Sequence, residues 1–284
     1  MRRKLAALLA AFATVFSLAF IAAPAQASTG GTPDGDAHPG VAMIAFYDAT
    51  GRYRCSAALV SPTVLLTAAH CTDGVLGKVL VDFDSVIAEK GPSPLPVAGN
   101  PSAGYTGDEL AAAGFTSGTA HTHPDYSNFT DLKNWNDLGV VVLDEPVTVL
   151  PVYPIAGAGL LDTVRPGDLA KLTVTAVGYG TEVRKADVGA QKPTPMSYPL
   201  IRRSVDMRFQ KLDTQVFQTH GNVNTPQGTG ATCFGDSGGP VFLDGVIVGV
   251  TSYGMTEVCR GVGGYQRVDI AASQDFLAGF GVTS

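Results

Sequence analysis

Short apolar runs separated by turn residues recur along this chain, and they constrain its fold more than any other feature. Val41–Tyr47, Ala57–Val60, Val64–Thr67, Val79–Phe83, Leu138–Leu143, Leu172–Val177, Val241–Leu243 and Val246–Thr251 are short and rich in β-branched residues. Runs of that length and composition read as strands rather than helices. Val205–Phe209 and Gln215–Gln218 follow the pattern more faintly. Asp244-Gly245, between two of the runs, is the chemistry of a tight hairpin turn. Only Asp269–Phe280 reads as a helix, with Ile270, Phe276, Leu277 and Phe280 at near-helical spacing and Asp269 placed to cap it. The pattern predicts an all-β protein of barrels or sandwiches with one terminal helix. Glu89–Gly118 and Thr181–Pro199 carry no such runs and read as long loops. Pro, Gly and Ala cluster between Leu150 and Gly159, which places a junction there: residues 28–155 form one lobe and 156–284 a second.

The first residues set the compartment. Arg2, Arg3 and Lys4 precede an uncharged apolar stretch, Leu5–Ala23, and Ala25-Gln26-Ala27 supplies a small-x-small cleavage site. Residues 1–27 are therefore expected to be a signal peptide and the remainder to be secreted. An uncleaved membrane anchor is the competing reading, disfavoured by Pro24 and the Ala-x-Ala site. Three of the 19 basic residues fall in that leader, so 16 Lys+Arg against 25 Asp+Glu leave the mature chain at net charge −9. An acidic protein of this kind is a poor binder of nucleic acid or anionic membrane. In an exported chain four cysteines suggest disulfides, and three pairings are open; two local loops, Cys55 with Cys71 and Cys233 with Cys259, are the simplest. No C-x-x-C or paired histidine spacing favours zinc, and neither a metal nor a cofactor is expected.

Gly235-Asp236-Ser237-Gly238-Gly239-Pro240 is the strongest chemical signal. A serine among glycines can sit on a tight turn whose amides converge where an oxyanion develops. Serine needs a base, and Thr67-Ala68-Ala69-His70-Cys71 ends an apolar run in a histidine. A carboxylate must orient that imidazole, and Asp137 stands directly before the run Leu138–Leu143. The order His70, Asp137, Ser237 separates the alternatives. An α/β-hydrolase with G-x-S-x-G needs its histidine after the serine, and no histidine follows Ser237. A subtilisin-type order needs an aspartate before His70, and the surroundings of Asp34, Asp36 and Asp48 carry no supporting motif.

With these motifs in this order the chain resembles the trypsin/chymotrypsin family of serine proteases. The matching stretches are Cys55 with Thr67–Cys71, His123-Pro124 upstream of Asn136-Asp137, Val177-Gly178-Tyr179-Gly180, Cys233–Pro240, and Ser252-Tyr253-Gly254. The resemblance implies two six-stranded antiparallel β-barrels with His70, Asp137 and Ser237 in the cleft between them. It implies the bridges Cys55–Cys71 and Cys233–Cys259. It assigns the oxyanion donors to the backbone N–H groups of Gly235 and Ser237, places Ser252 behind Asp137, and has Ser252–Gly254 pair with extended substrate. Protein or peptide substrates follow, with the enzyme acting as a monomer.

The chain departs from the trypsin pattern at two places. Ala231 stands where an aspartate would form the base of the P1 pocket, so a buried arginine or lysine would find no counter-ion. With Thr232, Phe234, Tyr253, Gly254 and Gly263 the pocket is expected to be open and neutral, suiting apolar P1 side chains. Glutamate preference is the alternative, carried by the Thr232 hydroxyl. The second departure is at the N-terminus, where Ser28-Thr29-Gly30-Gly31 replaces an Ile-led start. Signal cleavage would free the Ser28 amine to pair with Asp236. His38, His121, His123 and His220 are expected at the surface or in packing, and Asn128-Phe129-Thr130 fits a glycosylation sequon. Two other functions share the scaffold: a catalytically silent binding protein and an esterase-biased hydrolase.

Overall fold

The computed structural model of the chain describes residues 30–183, 196–222 and 229–284. The expected signal peptide, Ser28 and most of the stretch 181–199 lie outside them. Twelve strands build the two barrels. In the first lobe these are β1 (Val41–Tyr47), β2 (Arg52–Ser61), β3 (Val64–Thr67), β4 (Leu76–Asp82), β5 (Thr116–Thr122) and β6 (Gly139–Leu143). They close into a six-stranded antiparallel barrel in the order β1-β2-β3-β6-β5-β4. The second lobe holds β7 (Thr173–Gly178), β8 (Arg203–Leu212), β9 (Val216–Gly221), β10 (Pro240–Leu243), β11 (Val246–Gly254) and β12 (Gly261–Arg267). Their order is β8-β9-β12-β11-β10-β7, closed by β7 against β8, with Thr32–Pro33 added outside β8. The expected pair of six-stranded barrels is what the chain forms.

The apolar runs become strands because both faces are covered. Every residue of β1 and β3 is buried, which is why they read as unbroken apolar runs rather than alternating ones. Asp244 and Gly245 take φ of +50° and +82° between β10 and β11, the left-handed pair a primed hairpin turn requires. Ser252 falls at a register shift between Thr251 and Tyr253 where β11 pairs with β12. Such a bulge re-aims one side chain out of the ladder.

Several elements differ from the sequence reading. The stretch 89–118 is not one loop: it contains α1 (Gly107–Ala112) and the start of β5. Thr106 caps α1 in a reciprocal box with Glu109. A short α2 (Pro166–Leu169) precedes β7. The terminal helix α3 spans Ala271–Ala278, and Ile270, not Asp269, is its N-cap. Asp269 is drawn away because its carboxylate accepts from Arg267 Nε at 2.9 Å and from the Leu161 N–H at 2.8 Å. The helix reaches the first lobe, with Phe276 packed on His123 and Phe280 on His121 at ring separations of 5.0 and 5.2 Å.

Both local disulfides are present, Cys55–Cys71 and Cys233–Cys259. The first ties β2 to the short helical turn Ala69–Cys71, and the second ties the serine turn to the loop after β11. Each is worth about 2–4 kcal/mol through restriction of the unfolded chain. Away from the cleft, Arg202 clasps the lobes: its guanidinium donates to Asp34 Oδ2 at 3.0 Å and to the carbonyls of Val41 and Phe83 at 3.1 and 2.8 Å. His38 donates from its backbone to the same Asp34 carboxylate, and its ring meets the other oxygen.

Candidate active site

The helical turn after β3 delivers His70, and the chain entering β6 delivers Asp137. Asp137 is fully buried, and its carboxylate spans His70 Nδ1 at 2.9 and 3.1 Å while accepting the His70 backbone N–H at 2.9 Å. Two groups of the second lobe hold this aspartate. Ser252 Oγ donates to Asp137 Oδ2 at 2.6 Å, and the Asp137 N–H donates to Gln266 Oε1 at 3.0 Å. Trp135 Nε1 in turn donates to Ser252 Oγ at 2.9 Å. The carboxyl group can be buried here because its oxygens are hydrogen-bonded. The bulge in β11 is what presents Ser252 to it.

The serine turn is built by glycines that leave no free room for a Cβ. A Cβ on Gly238, where φ is +74°, would sit 2.0 Å from Thr67 Oγ1 and 2.7 Å from the Ser56 carbonyl. On Gly239 it would sit 2.5 Å from the Val177 carbonyl. The first lobe holds this turn as firmly as the second holds Asp137. The Ser56 N–H donates to the Ser237 carbonyl at 2.8 Å, and Ser56 Oγ donates to the Gly235 carbonyl at 2.8 Å while accepting from Tyr179 N–H. Among the described residues, neither the Gly235 nor the Ser237 N–H has a protein acceptor. Asp236 is buried, with the N–H groups of Gly180 and Cys233 each 2.8 Å from its carboxylate. Its expected partner Ser28 lies outside the described residues.

His70 and Ser237 line one cavity of about 390 Å³, together with Thr232, Cys233, Phe234, Ser252, Tyr253, Gly254 and Cys259. A Cβ on Gly254 would meet nothing within 4 Å, so this position opens onto free space. Ala231 and Gly263 are not on the cavity wall; both are buried behind it. A Cβ on Gly263 would crowd the Tyr265 hydroxyl at 2.6 Å. Tyr265 itself is buried, and burial pushes its phenol up to about 12. Its hydroxyl engages Thr232 Oγ1 at 3.1 Å and Thr219 Oγ1 at 3.2 Å. Thr251 lies on the cavity wall, but its hydroxyl is buried and has no hydrogen-bond partner among the described residues.

Several residues escaped the sequence reading. Ser56, Gln266 and Trp135 act across the lobe seam, and no local motif marks them. Phe129 was visible only as the centre of a sequon; its ring lies 5.5 Å from that of His70 and 5.2 Å from Trp135. Asn128 and Phe129 both take left-handed φ, +49° and +62°, to put it there. Among the other histidines, His123 is buried in packing.

Two closed six-stranded antiparallel barrels, with a serine turn and a His–Asp pair meeting at their seam, define the chymotrypsin-like class of fold. Within that class the chain belongs to the trypsin family of serine proteases, whose profile matches residues 30–274. It is 28% identical over 214 residues to brachyurin of Leptuca pugilator, covering 73% of this chain and 79% of that protein. It is 29% identical over 206 residues to trypsin-10 of Gadus morhua, covering 72% of each. In structure it is similar to HL collagenase (TM-score 0.62, 16% identity, 91% of this chain and all of that one). It is also similar to human heparin binding protein (TM-score 0.57, 17% identity, 88% and 95% covered).

Proposed function

We propose that this protein is a secreted serine endopeptidase that cleaves peptide bonds through an acyl-enzyme. The carrying observation is the buried Asp137 carboxylate on His70 Nδ1, in a cavity that also holds Ser237. With Nδ1–H fixed on Asp137, the other ring nitrogen is left as the base. Ser237 Oγ attacks the scissile carbonyl carbon as its proton passes to His70 Nε2. The carbonyl oxygen takes the electron pair and is met by the N–H groups of Gly235 and Ser237, which have no protein acceptor. Collapse breaks the C–N bond, and His70 gives its proton to the leaving amine. Water, deprotonated by His70, then releases the acid and restores Ser237.

The P1 preference is for apolar side chains. Ala231 supplies no charge behind the cavity, and the Thr232 hydroxyl is already engaged by Tyr265, which weakens the case for glutamate. Glu257 is on the wall but exposed, where water screens it. The free edge at Ser252–Gly254 is assigned to the substrate backbone. Residues 1–27 are read as the signal peptide, with the lobes at 28–155 and 156–284, and the Ser28 amine so freed is assigned to Asp236. Appending one residue before Ser28 is expected to cripple the enzyme; unchanged activity rejects that pairing.

The test is threefold on one preparation. A serine-reactive organophosphate is expected to label Ser237, casein to be digested, and a P1-varied peptide library to be cleaved after aromatic and large aliphatic residues. Label without proteolysis indicates an esterase, no label a binding protein, and turnover of arginine substrates alone overturns the apolar assignment.

A further inference from the structure

A cavity larger than the one that holds Ser237 lies elsewhere in the structure. It encloses about 630 Å³ on the other side of the serine turn and is lined by Arg52, Tyr53, Arg54, Glu89, Lys90 and Tyr198, among others. Arg54 joins it to the reaction centre: a Cβ on Gly235 would lie 3.0 Å from Arg54 Nε. The Ser237 cavity is assigned to the P1 side chain, so a cavity across the same turn is assigned to the leaving half of the substrate.

Its charge is unbalanced. Arg52, Arg54 and Lys90 face one carboxylate, Glu89, and among the described residues none of the three cations forms an ion pair. Arg52 rests over the rings of Tyr47 and Tyr105, 5.9 and 5.7 Å from their centroids, and one of its terminal nitrogens is buried without a hydrogen-bond partner. Burial pulls the Arg54 guanidinium below its usual range, and the attraction of Asp236 only partly offsets this. A guanidinium held partly out of water without a paired carboxylate carries a desolvation cost that an incoming carboxylate relieves. Residues 52, 54 and 56 also share one face of β2, at intervals of roughly 7 Å. Ser56 touches the serine turn, so the cations are spaced outward from it like alternate residues of an extended peptide.

We infer that this cavity binds acidic side chains on the leaving-group side of the substrate, at about the second and fourth residues beyond the scissile bond by the strand spacing. The inference rests on the endopeptidase reading and adds to it a class of substrate: peptides apolar before the cut and acidic after it. Exposed Tyr53 and Tyr198 offer ring surface to the intervening residues.

The experiment uses internally quenched peptides sharing one sequence before the cut and carrying Asp, Ala or Lys at those two positions. The expected kcat/KM for the Asp peptide exceeds that for the Lys peptide about tenfold at low salt, and the gap narrows as salt rises from about 0.02 to 0.5 M. In an Arg52→Gln, Lys90→Gln double variant the ratio is expected to fall to about twofold or less. Arg54, which packs on Gly235, is left in place, and the ratio is taken within each variant so that any general loss of activity cancels. Cleavage of the Ala peptide with no preference for Asp overturns the inference and leaves the endopeptidase reading intact. A preference undiminished in the double variant also overturns it. If no peptide is cleaved, the endopeptidase reading falls and takes the inference with it.

Discussion

The two halves of the site are each held by the opposite lobe, but by different means. His70 and Asp137 belong to the first barrel, and side chains of the second, Ser252 and Gln266, fix the aspartate. Ser237 belongs to the second barrel, and a residue of the first, Ser56, fixes its turn through backbone carbonyls. Around Asp137 the holding groups are side-chain donors and acceptors that can be exchanged one at a time. Around Ser237 they are glycine backbones packed so closely that no Cβ fits. The side chains that brace Asp137 are therefore graded in their response to mutation, and the glycine packing around Ser237 is abrupt. Both depend on the lobes keeping their relative position.

The comparison is broken most severely at Asp137. Asp137→Asn keeps the shape but offers an amide where Nδ1–H needs an acceptor, and kcat is expected to fall by about 10⁴-fold with the fold intact by circular dichroism. A loss below about tenfold would remove the orienting role assigned to this carboxylate.

The next effect tests whether the seam depends on a contact far from the cleft. The Asp34–Arg202 pair is almost wholly buried, and removing its anion through Asp34→Asn should cost about 3–5 kcal/mol in chemical denaturation. Burial alone would raise the Asp34 pKa, but the His38 and Arg202 contacts outweigh it and hold the carboxyl below its usual 3.8. A carboxyl lowered in the folded state contributes stability above the unfolded value that is lost as pH falls through the folded one. The parent should thus lose this contribution below about pH 3.8, and the gap between parent and variant should close there. A constant gap through that range assigns the effect to packing instead.

Gly238→Ala addresses the abrupt half directly. The new methyl would meet Thr67 Oγ1 at 2.0 Å on a backbone at φ +74°, and a loss of about 2–3 kcal/mol with most of the activity is expected. Thr67→Ala in the same chain should recover part of it, since the nearest clash is with that hydroxyl. No recovery would place the strain in the backbone.

How much of this was legible follows from where each signal lies. Strands buried on both faces, such as Val41–Tyr47 and Val64–Thr67, announce themselves as apolar runs, and both were read at their observed limits. Thr116–Thr122 and Gly261–Arg267 were invisible because small and polar residues fill them. The glycines of β12 answer to neighbours distant in sequence: a Cβ on Gly264 would sit 2.1 Å from the Tyr253 ring. His70, Asp137 and Ser237 could be picked out because each stands in its own local motif. Ser56 and Gln266 could not, because their hydrogen bonds reach 179 and 129 residues along the chain. Asp269 misled because capping propensity ignores the buried Arg267 that claims it.

The smallest expected effect is at Ser56, and it discriminates best between bracing and mere packing. Ser56→Ala leaves the Gly235 carbonyl without its donor and the Tyr179 N–H without its acceptor, while keeping the backbone bond to Ser237. The loss of one such pair is worth about 1 kcal/mol, so a fall of about fivefold in kcat is expected. Because the hydroxyl holds the turn whose N–H groups are assigned to the oxyanion, the fall should sit in kcat and in the rate of organophosphate labelling, with KM little changed. A purely structural hydroxyl would lower the midpoint of thermal unfolding and leave kcat per folded molecule alone. That outcome would mean the second lobe holds Ser237 unaided, and the reciprocity between the two halves would reduce to the bracing of Asp137.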